Sequence, residues 1–139
     1  PASKYYSETI LIKSELIYRL AKKEYESAIL YIKLQEYNSA LIYLFEILNN
    51  YVPLELSSQS SNNKLNEYNE QLKKLLDNAK IMIIYSYLFD DRSDMANEFY
   101  NTQINNFHIS KAKEKASSLL SSNNLSRLDI WRDILLGIF

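Results

Sequence analysis

The sequence predicts an all-α fold of five or six antiparallel helices: two helical hairpins followed by a C-terminal amphipathic helix. Three observations predict it. The 139 residues include one Gly and two Pro, too few breakers for the many tight turns of a sheet-rich fold. Apolar residues recur at helical spacing through most of the chain. The interruptions are short polar corners, at residues 35–39 (QEYNS) and 90–94 (DDRSD). A hydrophobic fraction of 47% and a charged fraction of 24% suit one globular domain with a substantial core.

Residues 1–7 read as a frayed lead-in. A helix is expected from about Glu8 to Leu34. Ile10, Ile17, Leu20, Ala21, Ala28 and Ile32 fall near one face, widened by Leu16, Tyr25 and Ile29. Lys13, Lys22, Lys23, Glu26 and Lys33 fall largely on the other side. The corner at 35–39 offers Asn38 and Ser39 as cap residues. A second helix, from Ala40 to about Asn49, carries Leu41, Leu44, Phe45 and Leu48. Asn49 and Asn50 end it, and Pro53 blocks easy continuation. Residues 8–53 therefore form the first hairpin.

The stretch 57–63 (SSQSSNN) reads as a flexible loop. A third helix follows, from about Lys64 to Phe89, and its run 81–84 is apolar all round, which places it at the centre of the core. After the acidic corner comes a fourth helix, about Asp94 to Asn105, with Met95, Ala96, Phe99, Tyr100 and Ile104. Residues 64–108 are thus the second hairpin. The remainder, 110–139, holds a weakly apolar helix (Ala112, Ala116, Leu119, Leu120) and a strongly apolar last one. In the last helix Ser126 is the cap, with Asp129 three residues on. Leu128, Trp131, Leu135 and Ile138 form one stripe, broadened by Ile130 and Ile134.

The totals exclude several functions. A net charge of −1 and no basic stripe argue against nucleic acid as a partner. No apolar run approaches the ~20 residues of a transmembrane helix. With no Cys, disulfides and thiol chemistry are excluded. With one Gly, at position 137, no phosphate-binding loop, dinucleotide fingerprint or nucleophile elbow can be written. His108 is the one histidine and reads as a surface or helix-end residue rather than a ligand. Asp90, Asp91 and Asp94 lack the Gly and closing Glu of a calcium loop, so they read as a solvated corner. No catalytic, cofactor-binding or metal-binding residue is assigned, and no enzyme activity is expected.

An imperfect repeat runs through the chain. Tyr31 lies nine residues before Ala40, and Tyr87 nine before Ala96. The two alanines are 96 − 40 = 56 residues apart. Both second helices end in an Asn pair, 49–50 and 105–106. This pattern resembles a divergent tetratricopeptide pair, in which a small residue and an aromatic on one helix pack against Ala and an aromatic on the next. Ala28, Tyr31, Tyr37 and Ala40 match those roles, as do Tyr87, Ala96 and Tyr100. Pro53 lies one place beyond the expected Pro. In the second unit Ile84 replaces the small residue and Ser93 the corner aromatic, and His108 stands near the Pro position. The 56-residue spacing exceeds the usual period of about 34, and an insertion around 57–76 accounts for the excess.

Within that family, AKIMIIYSYLFDDRSDMANEFYNTQINNF and EYNSALIYLFEILNNYVP are similar to helical units of the BamD-like outer-membrane assembly lipoproteins. That resemblance implies a periplasmic scaffold in the machinery that inserts β-barrels. It covers roughly half the chain, and the lipid-bearing Cys of that family is missing. The chain begins at Pro1 without a Met, as a processed form or an expressed segment would, which leaves a removed signal peptide or lipid anchor open.

The expected function is a non-catalytic protein–protein interaction scaffold, which the resemblance places in a bacterial envelope assembly complex. Its partner would be another protein, and under the resemblance a membrane-protein assembly factor. It would sit at the periplasmic face of the outer membrane if the resemblance holds, and in the cytoplasm otherwise. The expected partner face is Leu128, Trp131, Ile134, Leu135 and Ile138, a stripe that water disfavours. Two alternatives stay open: a self-associating structural bundle, and a small-molecule or lipid carrier with a pocket between helices.

Overall fold

The structure, a computed structural model, describes residues 2–54 and 63–121. It is all-α: five helices and, among the described residues, no strand. They are α1 (Ala2–Lys33), α2 (Tyr37–Asn50), α3 (Asn63–Phe89), α4 (Ser93–Gln103) and α5 (Ser110–Ser121). The expected loop at 57–63 lies outside the described residues except for Asn63, which opens α3. The expected last helix and the whole partner face Leu128, Trp131, Ile134, Leu135 and Ile138 also lie outside them.

Helix α3 is the hub. It packs against α1, α2, α4 and α5, and α1 also packs on α2 and α4 on α5. Its sequence suits that position, since every residue from Ala79 to Tyr87 is buried. A helix apolar around its circumference must be covered on all sides. Against it sit Ile32 from α1, Leu44 and Ile47 from α2, Phe99 from α4, and Ala112 and Ala116 from α5. Fully burying an Ile or Leu contributes about 1.5–3 kcal/mol each.

Both hairpin corners are built the same way. Two residues past the end of α1 stands Gln35 at φ 62°, and two past the end of α3 stands Asp91 at φ 57°. In the first corner the Glu36 N–H donates to Tyr31 O (2.9 Å) and the Gln35 N–H to Ile32 O (2.9 Å). In the second, the Arg92 N–H donates to Tyr87 O (2.8 Å) and the Asp91 N–H to Leu88 O (3.4 Å). This is a left-handed helix stop, with the orphan carbonyls of the last turn satisfied by the two residues that follow. The second corner repeats the first at the same 56-residue offset seen in the alanines.

Several expectations are corrected. Helix α1 begins at Ala2, not near Glu8. Helix α2 begins at Tyr37 after Glu36, with no side-chain cap, because the left-handed stop returns the chain to helix within one residue. Asn38 instead accepts a hydrogen bond from Arg92 at 2.7 Å, which ties the two corners together. Leu16 and Leu20, placed on the core face of α1, are exposed, as is Met95 on α4. Around α1, Leu16 and Leu20 point well away from the Ala21–Ala28–Ile32 line that meets α2 and α3.

Candidate functional site

The repeat residues meet at the helix crossings. Ala28, Ala40 and Ala96 have no exposed surface, so backbones approach closely there. Tyr37 and Tyr87 are buried. Tyr31 stacks on Tyr43 with ring centroids 5.5 Å apart, and Tyr100 leans on Phe107 at 6.4 Å.

The exit of α2, α3, and the end of α4 with the α4–α5 connection together frame an open groove of about 630 Å³. Its apolar surface comes from Phe45, Leu48, Val52, Pro53, Leu76 and Phe99. Phe45 and Phe99 meet edge to face at 5.7 Å and 87°, a favourable ring geometry. The rim carries carboxamides: Asn49, Gln103, Asn105 and Asn106. Asn49 of the first Asn pair and both residues of the second therefore line one site.

Two devices hold the walls. On one side the Asn69 carboxamide pairs with the Leu54 backbone, accepting from its N–H at 2.9 Å and donating to its carbonyl at 3.1 Å. The Tyr51 hydroxyl donates to Glu24 at 3.2 Å. Burial and that carboxylate raise the Tyr51 phenol above its ordinary value of 10.0, so it stays a donor. Residues 51–54 are thereby pinned to α1 and α3.

On the other side Asp77, which has no exposed surface, receives the His108 N–H at 3.0 Å and the Ile109 N–H at 2.8 Å. Lys80 donates to Asp77 at 3.3 Å and to the Asn106 carbonyl at 2.6 Å. Its ammonium also lies 5.2 Å from the centre of the Phe107 ring. Burial lowers the Lys80 pKa, opposed by the Asp77 carboxylate. This buried pair fastens the α4–α5 connection and places a carboxylate at the start of α5, where the helix dipole favours it.

The sequence reading missed Asp77 and Lys80. The signal was present: two charges three residues apart inside LLDNAKIMII must be buried, and buried charges need each other and hydrogen bonds. His108 is exposed at its residue surface, and it meets a carboxylate through its main chain rather than its ring. Burial of the ring, and then the Lys80 ammonium, lower its pKa from 6.5. Of Asp90, Asp91 and Asp94, Asp90 pairs with Arg92 at 2.8 Å. Arg92 lies 5.0 Å from the centre of the Tyr87 ring, so the acidic corner is bound up in the helix stop.

Among the described residues no group of His, Asp or Glu gathers as a metal site would need. No helix of the described residues is long and apolar enough to cross a membrane. A second, smaller hollow of about 260 Å³ lies between α3 and α5, with charged walls from Lys74, Lys111, Glu114 and Lys115. Compared with protein-family models, curated proteins and solved structures, the chain matches none.

Proposed function

We propose that the chain is a non-catalytic interaction scaffold that holds an extended segment of a partner protein in the groove between α2 and α4. The observation that carries this reading is the composition of the groove. Its apolar surface suits a partner's hydrophobic side chain, and its rim of carboxamides can both donate to and accept from a partner backbone. No carboxylate lines it, its Lys80 is engaged by Asp77 and Asn106, and His108 is its one imidazole, with no carboxylate among the lining residues to pair with it. Those features favour binding over acid–base chemistry. A carrier function fits less well, since both hollows are open to solvent.

The tetratricopeptide reading is supported by two features. The first helices of successive hairpins pack in a row, α1 on α3 and α3 on α5, as in a stack of hairpins. The two corners also repeat at 56 residues. Placement in an envelope assembly complex rests on the BamD-like segments alone. An antibody against the chain tests it: recovery with outer membranes is expected, and recovery wholly in the cytosol overturns it.

Binding is tested by selecting peptides from a displayed random library on the full chain. Enriched peptides should carry an apolar anchor. Leu48→Glu or Val52→Glu should weaken them at least tenfold, while Glu98→Ala on the far side of α4 should not. Enriched peptides indifferent to both groove variants, or no enrichment at all, would sink the proposal.

A further inference from the structure

Helix α1 carries a second surface that the groove does not use. Tyr5, Ile12, Leu16, Leu20, Leu30 and Leu34 are all exposed, from 45% at Leu20 to 74% at Tyr5. At 100° per residue they fall on one stripe, opposite the buried line of Ser14, Ala21, Ala28 and Ile32. The stripe runs the whole 32-residue helix, roughly 48 Å at 1.5 Å per residue. Its separate segments together present on the order of 600 Å² of side chain, comparable with the largest apolar patch of an ordinary monomer.

We infer that this stripe is an interface with a second copy of the same chain, α1 against α1 in antiparallel register. The area is the first argument. A stable interface buries about 800 Å² per partner, which the stripe reaches once Tyr6 and the stems of the flanking charged residues are included. Register is the second argument. The stripe is interrupted by Thr9, Lys23 and Ser27. A parallel pair would set each against itself and bring Lys23 onto Lys23. A two-fold axis near Leu20 sets Leu16 against the Lys23 stem, Ile12 against Ser27, Leu30 against Thr9, and Tyr5 against Leu34. Each polar interruption then faces an apolar side chain of the other copy. Glu15 is held by Arg19 of its own helix, so the register rests on the apolar contacts. The interface is isologous and closes at two.

The test is sedimentation velocity of the full chain across a concentration series, with circular dichroism on every variant. A dimer is expected, and Leu16→Glu/Leu20→Glu should weaken association at least tenfold with helicity unchanged, since both side chains are exposed. The chain has no Cys, so single cysteines report the register. Leu20→Cys should cross-link to itself on oxidation. Tyr5→Cys and Leu34→Cys should cross-link mainly when mixed. A monomer at all concentrations overturns the proposal. So does ready self-linking of Tyr5→Cys, or a dimer that survives Leu16→Glu/Leu20→Glu and is lost with Trp131→Ala.

Discussion

Asp77 shows how much one side chain can organise. Its carboxylate accepts from two main-chain N–H groups and from Lys80, with no water-exposed surface. Asp77→Ala should cost about 3–5 kcal/mol, because it leaves a buried ammonium and two buried donors uncompensated. Urea unfolding monitored at 222 nm reads this directly. Lys80→Met should cost less, since the carboxylate keeps its main-chain donors, and the double variant should cost less than the two combined. A neutral Asp77→Ala is the result that contradicts the clamp. His108 gives a pH prediction of definite sign. Its folded pKa lies below 6.5, through burial and then Lys80, so the unfolded chain binds the proton more readily. Stability should therefore rise with pH between the lowered value and 6.5, and His108→Gln should remove that part of the slope. A slope unchanged in the variant would assign it to other groups.

At the scale of elements, the helix stops are the informative parts. Gln35 is a long side chain held in the left-handed region, where a Cβ costs roughly 1–2 kcal/mol. Gln35→Gly should raise stability by about 0.5–1 kcal/mol, after the entropy that Gly loses on folding. The Asp91→Gly gain should be smaller, because Asp tolerates that region better. Thermal midpoints check both, and a loss at Gln35 would mean its side chain stabilises the corner. The crossings predict the opposite behaviour. Ala28→Leu or Ala40→Leu should destabilise by about 1–3 kcal/mol, since no exposed surface exists at either site to receive the added atoms. These two alanines stood out in the sequence as small residues among aromatics. The left-handed stops did not, because neither has the Gly that usually marks them.

For the molecule as a whole, α3 decides cooperativity. The first hairpin, α4 and α5 all pack against it, and the first hairpin alone cannot cover Ile32, Leu44 or Ile47. A fragment ending at residue 54 should therefore show a large loss of helicity per residue by circular dichroism, and a fully helical fragment would show that the hairpin folds alone. The groove belongs to this scale too, since it draws on α2, α3, α4 and the α4–α5 connection. Sequence reading found its ingredients as separate signals: the Asn pairs, Pro53, and Phe45 and Phe99 as apolar positions. It did not bring them together, and it looked for a binding face at 128–138 instead. The face of α1 was misjudged at Leu16 and Leu20 because apolar residues occupy most of that helix's circumference, and periodicity then admits more than one inward direction.

What the sequence determined by itself was local. Scarce Gly and Pro, apolar periodicity and two polar corners determine helices and hairpins, because a helix is made by contacts three and four residues apart. The all-apolar run at 81–84 even marked the hub. The tertiary structure decided everything that needed a partner from another element. It selected which of two apolar stripes on α1 would be buried, paired Asp77 with a connection some thirty residues away, and brought Asn49, Asn105 and Asn106 around one groove. A period of 3.6 residues says which side chains share a face, but only the position of a second helix says what that face meets.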